Sequence, residues 1–231
     1  MWNPAESGWG VNVTLQNDIA FLTFYLYAPN QAPIWYTGEA HGRGLIGGQL
    51  VWDGAVYETQ GPWFGGPFNP ANVSLSQAGT VSFRLSTITQ ASLTYSVSGT
   101  TITQSIERMT FRSENYTGTY AGGYSLRTTG CNPSSLNRLE EKVGLITVSH
   151  NGTAFSASLT GTNPTCSFGG NYVQAGQLGA VNGNYSCSDG TAGTFALVEI
   201  TPTISGFNGR MAGSNQFCQW SGYFGGITRA P

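Results

Sequence analysis

Along the chain, apolar and polar positions alternate in short runs, broken roughly every ten residues by Gly, Asn, Pro or Ser. A period of two puts successive side chains on opposite faces of a pleated strand, so this rhythm predicts an all-β protein built as barrels or sandwiches. In the first half the runs predict strands near 8–15, 18–28, 33–40, 48–58, 71–76, 80–86, 91–98 and 101–110. In the second half they predict 116–127, 143–149, 153–160, 166–173, 178–187, 193–200, 203–210 and 217–228. Asn17-Asp18 and Gly99-Thr100 read as hairpin turns, and Asn151-Gly152 is the strongest such signal. One segment has helical character. Asn132 can cap it, Pro133 suits the first helical position, and Leu136 and Leu139 share a face. At most one short helix is therefore expected, over about 133–141, with a loop containing one turn as the alternative.

One strand departs from alternation. Ile19-Ala20-Phe21-Leu22-Thr23-Phe24-Tyr25-Leu26-Tyr27 is apolar on both faces. A half-exposed strand would carry polar residues on its outer side, so both faces of this one are expected to meet something. One face is core; the other is expected to meet a ligand, a second module or another copy of the chain. The aromatics cluster in the same region. Trp2, Trp9, Trp35, Trp52 and Trp63 all fall in the first part of the chain, with Tyr25, Tyr27, Tyr36, Phe64 and Phe68. Aromatic rings on a rigid sheet offer a flat stacking area at little entropic cost, which suits a sugar ring or an apolar polymer. Trp35, Tyr25, Tyr27 and Trp52 are the candidate contacts, weighed against ordinary core and inter-module packing.

Composition narrows the partners. Charged residues make up 9% of the 231 positions, Lys142 is the only lysine, and the net charge is −2. Such a chain presents no basic field to a phosphate backbone, so nucleic acid is not an expected partner. No stretch approaches the roughly 20 apolar residues of a membrane helix, and no membrane span is expected. A transmembrane β-barrel is disfavoured because the Asn- and Gly-rich strands lack a continuous outward apolar band. No signal peptide precedes Trp2-Asn3-Pro4, so a mature or trimmed form with an added start residue is expected.

Cys131, Cys166, Cys187 and Cys218 all lie in the second half, too widely spaced for a zinc site, which usually brings a close Cys-x-x-Cys pair. They read as disulfides, which places the protein outside the cytoplasm: secreted, periplasmic or at the cell surface. If Val173 to Leu178 is a hairpin, Cys166 faces Cys187 across it. If the second half closes as a meander barrel, Cys131 just past the first strand meets Cys218 near the start of the last. The cysteine asymmetry, and the pattern restarting at Tyr116-Thr117-Gly118-Thr119-Tyr120, divide the chain into an aromatic-rich antiparallel module over 1–111 and a disulfide-stapled, barrel-like module over 112–231. No linker separates them, so the modules are expected to abut; a single continuous sandwich is the alternative.

The chain carries no Gly-x-Ser-x-Gly, His-Glu-x-x-His, phosphate-binding loop or dinucleotide fingerprint, and no cofactor or catalytic residue is assigned. Glu39 and His41 stand two apart and could share a metal with a third ligand, although a surface turn through Ala40-His41-Gly42-Arg43 accounts for them more simply. Glu6, Glu39, Asp53 and Glu58 could in principle form the carboxylate pair of a glycosidase, or serve as ion partners. Within Trp2-Asn3-Pro4-Ala5-Glu6-Ser7-Gly8-Trp9-Gly10, Glu6 is expected to accept backbone N–H bonds at a tight turn plugged by Trp9. The Asn-x-Ser/Thr triplets at Asn12, Asn72, Asn115, Asn151 and Asn184 matter only in a glycosylating host.

The opening Trp-Asn-Pro-Ala-Glu-Ser-Gly-Trp-Gly run resembles a domain of uncharacterised exported proteobacterial proteins. So do Pro33-Ile34-Trp35-Tyr36, the stretch from Gly61-Pro62 to Asn69-Pro70, Tyr95 to Gly99, and Ile106-Glu107-Arg108. The similarity covers about 2–111. Gly183 to Cys187, Gly193-Thr194-Phe195 and Gly222 to Gly226 are similar to a companion domain of such proteins. The resemblance implies export and two modules and transfers no site. A looser similarity is to lipocalin- and avidin-like barrels, with Gly8-Trp9 and Arg108 in the first module and Tyr120 and Arg229 in the second standing where those folds pair an early aromatic with a late basic residue. The expectation is a non-catalytic binding protein for a carbohydrate, an apolar polymer or a small molecule. A self-associating subunit of an extracellular assembly is the alternative, and a hydrolase with an unrecognised site comes third.

Overall fold

The computed structural model describes residues 1–228, which divide into two compact units, one from Met1 to Met109 and one beginning at Thr110. Among the described residues there are fifteen strands, and the only helical segments are single 3₁₀ turns at Pro70–Asn72 and Ser134–Leu136.

The first unit is a seven-stranded antiparallel meander: β1 (Gly10–Gln16), β2 (Ile19–Tyr27), β3 (Pro33–Ile46), β4 (Gln49–Gln60), β5 (Ser74–Leu85), β6 (Gln90–Val97) and β7 (Thr100–Glu107). Alternation sends Leu22, Phe24, Val56, Phe83 and Leu93 to one face, where they form a single core. Two strands expected at 71–76 and 80–86 are one strand, β5. Gly79, between the two expected strands, lies mid-strand beside a bulge, where a Cβ would fall 1.8 Å from the Ser96 carbonyl oxygen. That glycine answers a close backbone approach and not a turn. The turn expected at Ala40–Arg43 is also strand: β3 runs through it, with a register shift between Gly42 and Gly44.

A sheet with one apolar face leaves two raw edges, and here the N-terminal residues join them. Met1 exchanges backbone hydrogen bonds with Val11 of β1, at 2.6 and 2.9 Å. Trp2 does the same with Glu107 of β7, at 2.9 Å in both directions. Glu6 fixes the loop that follows. Its carboxylate accepts from the Trp9 indole N–H at 3.0 Å and from the Gln104 amide at 2.9 and 3.1 Å. The Gln104 Oε1 accepts in turn from Asn3 at 3.0 Å. The expected backbone donors to Glu6 are thus replaced by side chains, one of them from the far edge of the sheet.

In the second unit eight strands close on themselves: β8 (Gly118–Thr129), β9 (Leu139–Asn151), β10 (Ala154–Thr160), β11 (Cys166–Ala175), β12 (Leu178–Cys187), β13 (Ala192–Thr203), β14 (Gly206–Asn215) and β15 (Gln219–Thr228), with β15 hydrogen-bonded to β8. The segment with helical character makes only its 3₁₀ turn. The Thr128 hydroxyl donates to the Leu136 carbonyl and accepts from the Arg138 N–H, while Asn137 accepts from the Cys131 N–H. These bonds turn the chain straight into β9, where Leu139 pairs with Arg127. Cys166 and Cys187 are register partners and are bonded to each other, and Cys131 is bonded to Cys218 beside the seam between β8 and β15.

The Cys166–Cys187 bond spans 21 residues, and a loop of that size removes on the order of 3 kcal/mol from the unfolded chain. Replacing both cysteines with serine should lower the urea midpoint for opening of β8–β15 accordingly, as followed by hydrogen exchange. An unchanged midpoint would mean that the strands alone hold the barrel.

Candidate functional site

The aromatic face is built on β2 and β3. Ala20, Leu22 and Phe24 point into the core, which leaves Phe21, Thr23, Tyr25 and Tyr27 pointing out. On β3, Tyr36 is buried and Trp35 points out, directly opposite Tyr25 in the register. Cross-strand partners stand about 5 Å apart, close enough for the two rings to form one surface. Tyr25, Tyr27 and Trp35 are 56, 60 and 50% exposed. The outward side chains of β2 are therefore exposed and apolar, as the run of apolar residues on both of its faces implied.

Trp52 belongs elsewhere. It is 8% exposed and packs against Phe83 at 5.8 Å, in the core on the other face of the sheet. Trp52 keeps the inward parity of Val56, so alternation along β4 itself places it in the core, and the register shift between Gly42 and Gly44 turns its neighbour Val51 inward as well. Trp52 is thus withdrawn as a ligand contact.

Polar rows continue the open face. Thr23, Thr37 and Tyr57 align across β2, β3 and β4; Phe21 stands opposite Glu39, and His41 opposite Asp53. His41 lies 3.3 Å from Glu39, and Arg43 lies 3.7 Å from Asp53, all four side chains substantially exposed. Among the described residues no three His, Cys, Asp or Glu side chains gather as a metal site would require. Of the four carboxylates considered for catalysis, Glu6 is committed to the N-terminal loop and Glu39 and Asp53 to these pairs. Glu58 lies near Tyr36, whose hydroxyl is raised above the ordinary tyrosine value by burial and then by this charge. Beyond Tyr57, β4 outruns its pairing with β3 in the direction of the Trp35 end and stays paired with β5 to Gln60. The loop after Gly61 carries Trp63, Phe64 and Phe68, all strongly exposed, and contains no charged residue up to Val73.

The second unit has a plugged end and an open one. At the plugged end Tyr116, His150, Tyr172 and Phe207 pack ring on ring. The His150 Nδ1 accepts from the Tyr116 N–H at 3.3 Å, and its Nε2 lies 2.9 Å from the Gly152 carbonyl, so both ring nitrogens are occupied. Tyr120 donates to the Tyr116 carbonyl at 2.8 Å. Arg229, paired with Tyr120 by the barrel analogy, lies outside the described residues. In the first unit Arg108 donates to the Ile88 carbonyl at 2.7 Å while the Trp9 indole goes to Glu6, so that pair is otherwise engaged.

At the open end a cavity of about 390 Å³ lies between the two disulfides, walled by Tyr124, Phe168, Tyr185 and Trp220. Trp220 is the register partner of Gly213 and Tyr185 of Gly193. A Cβ on Gly213 would come within 2.2 Å of the Trp220 ring, so the indole rests on the glycine backbone. Glu140 and Lys142 share the inward parity of Ile146, Val148 and His150 and line the same cavity. Sequence reasoning missed this site because its aromatics are scattered over four strands. The available signal was parity: Cys166 with Phe168, Tyr185 with Cys187, and Cys218 with Trp220 each share an inward face. Comparison with protein-family models, with characterised proteins and with solved structures gave no match in any of the three.

Two outcomes follow. Trp52→Ala should cost about 3–5 kcal/mol in thermal or urea unfolding, as a core aromatic deletion does, while Trp35→Ala should stay within about 0.5 kcal/mol of the parent. Burial raises the hydroxyls of Tyr116, Tyr120, Tyr124 and Tyr172 above the ordinary value. The folded barrel then keeps protons that the unfolded chain releases near pH ~10, so this contribution to stability is complete below that pH and is lost as pH rises beyond it. A tyrosinate absorbance titration should show these groups ionising together with loss of the barrel's circular dichroism.

Proposed function

We propose that the protein is a non-catalytic binding protein of an oxidising, extracytoplasmic compartment, and that its first unit holds a neutral polysaccharide on the open face of β2 and β3. The observation that carries this reading is the Tyr25–Trp35 pair: two aromatic rings side by side on paired strands, exposed, with Tyr27 on the same face. Stacking against the C–H faces of sugar rings needs such a platform, and rigid rings lose little entropy on contact. The neighbouring rows supply Thr23, Thr37, Glu39 and His41 as partners for sugar hydroxyls, which an apolar polymer would leave unmatched. The loop after Gly61, with exposed Trp63 and Phe64, adds no charge to repel or select an ionic chain. Two disulfides support the compartment, and no helix among the described residues is long and apolar enough to cross a membrane.

Self-association through the same face would also cover the open side of β2. Lateral strand addition is the less favoured route for it, because Met1 and Trp2 already join β1 to β7.

Pull-down on insoluble cellulose, chitin and a polyester powder tests the reading. Retention on a polysaccharide should fall about tenfold or more with Trp35→Ala and with Tyr25→Ala, at unchanged thermal stability. Retention on the polyester alone, or equal retention of the variants, would refute it.

A further inference from the structure

We propose that the open end of the second unit's barrel is a separate binding site for a small organic ammonium ion, a quaternary or primary amine on a compact body. The cavity has two features that together select such a ligand. Its walls are aromatic: Tyr124, Phe168, Tyr185 and Trp220 come from four different strands, and Tyr185 and Trp220 meet edge to face at 5.6 Å, 76° between planes. Rings set at such angles present π-faces and edges around a common space, and a cation over a π-face is attracted by the ring quadrupole.

The second feature is an inward carboxylate. Glu140 stands opposite Leu126 and one inward position along β9 from Lys142, half-buried, with neither a hydrogen bond nor an ion pair among the described residues. Lys142 forms no salt bridge with it: the ammonium donates to the Asn163 carbonyl at 2.7 Å, and its charge acts on Asp189. Asp189 lines the same cavity, its carboxylate accepting the Thr191 N–H at 2.9 Å. Negative charge reaches the aromatic wall. The Tyr124 hydroxyl is held above its ordinary value first by burial and then by Glu140, Tyr185 and Asp189. Arg138 also lines the cavity, as an exposed residue. A carboxylate without a hydrogen-bond or ion-pair partner, in a cavity walled by four aromatic rings, offers an organic cation a counter-charge and π-faces together. A cavity of about 390 Å³ takes a small molecule, and this site lies in a different unit from the aromatic face of the first.

The test uses the whole chain with choline and its neutral isostere 3,3-dimethylbutan-1-ol, which share shape and differ in charge. Titration followed by NMR of the Trp220 indole resonance, assigned with Trp220→Phe, should show saturable binding of choline and binding of the isostere weaker by about tenfold. Glu140→Gln removes charge without removing volume and should weaken choline binding by about tenfold, leaving the isostere unaffected. Trp35→Ala should change neither, which separates this outcome from the polysaccharide reading. Equal binding of choline and the isostere, an unaltered choline affinity in Glu140→Gln, or no shift of the indole resonance at about 50 mM, roughly fifty times a millimolar dissociation constant, would each overturn the proposal.

Discussion

An antiparallel sheet with one apolar face is stable only if its two edges are dealt with, and both units of this protein do so by closure. The second unit closes in full: β15 pairs with β8, and the Cys131–Cys218 bond lies beside that seam. The first unit closes by a smaller device. Two residues, Met1 and Trp2, span the gap between β1 and β7, and Glu6 ties the following loop to Gln104 on the β7 side. Everything else in that unit depends on this join. With the edges held together the core residues of all seven strands converge, and the opposite side of β2 is left outside as a fixed, aromatic surface.

That division explains why the aromatics of the first unit do two different jobs. Phe24, Tyr36, Trp52 and Phe83 supply the core that disulfides do not reinforce there. Tyr25, Tyr27 and Trp35 sit one residue out of phase with them and gain nothing from the core. A surface made of such residues carries a cost in solubility, which the proposed binding role would offset. The second unit reverses the arrangement. Its aromatics point inward, glycines such as Gly213 and Gly193 make room for the largest rings, and the cavity forms where the barrel's open end is lined by the inward pair Glu140 and Lys142.

Much of this was legible in the residues. Alternation located the strands, and the meander order together with hairpin symmetry paired the cysteines. Where strand bounds were misread, a local backbone event had interrupted the two-residue period: Gly79 marked a close approach at a bulge, and the shift at Gly42–Gly44 carried β3 on past the expected turn and brought Val51 inward. Trp52 was legible, because it shares the inward parity of Val56 along β4. The helical character of Pro133 to Leu139 gave way to side-chain bonds from Thr128 and Asn137, which no periodicity encodes. The barrel mouth escaped notice because its parts are far apart in sequence and meet only once β8 has found β15. Glu6 is a middle case: its motif was recognisable, but its partner Gln104 lies 98 residues away.

The closure of the first unit by its N-terminal residues is the claim on which the open aromatic face rests, and amide hydrogen exchange measures it directly. The N–H groups of Trp2, Val11 and Glu107 should exchange as slowly as those in the centre of β3 and β4, and should lose that protection selectively in Glu6→Ala. Exchange of these three amides at the rate of an exposed loop, in a chain whose β3 and β4 remain protected, would contradict the account.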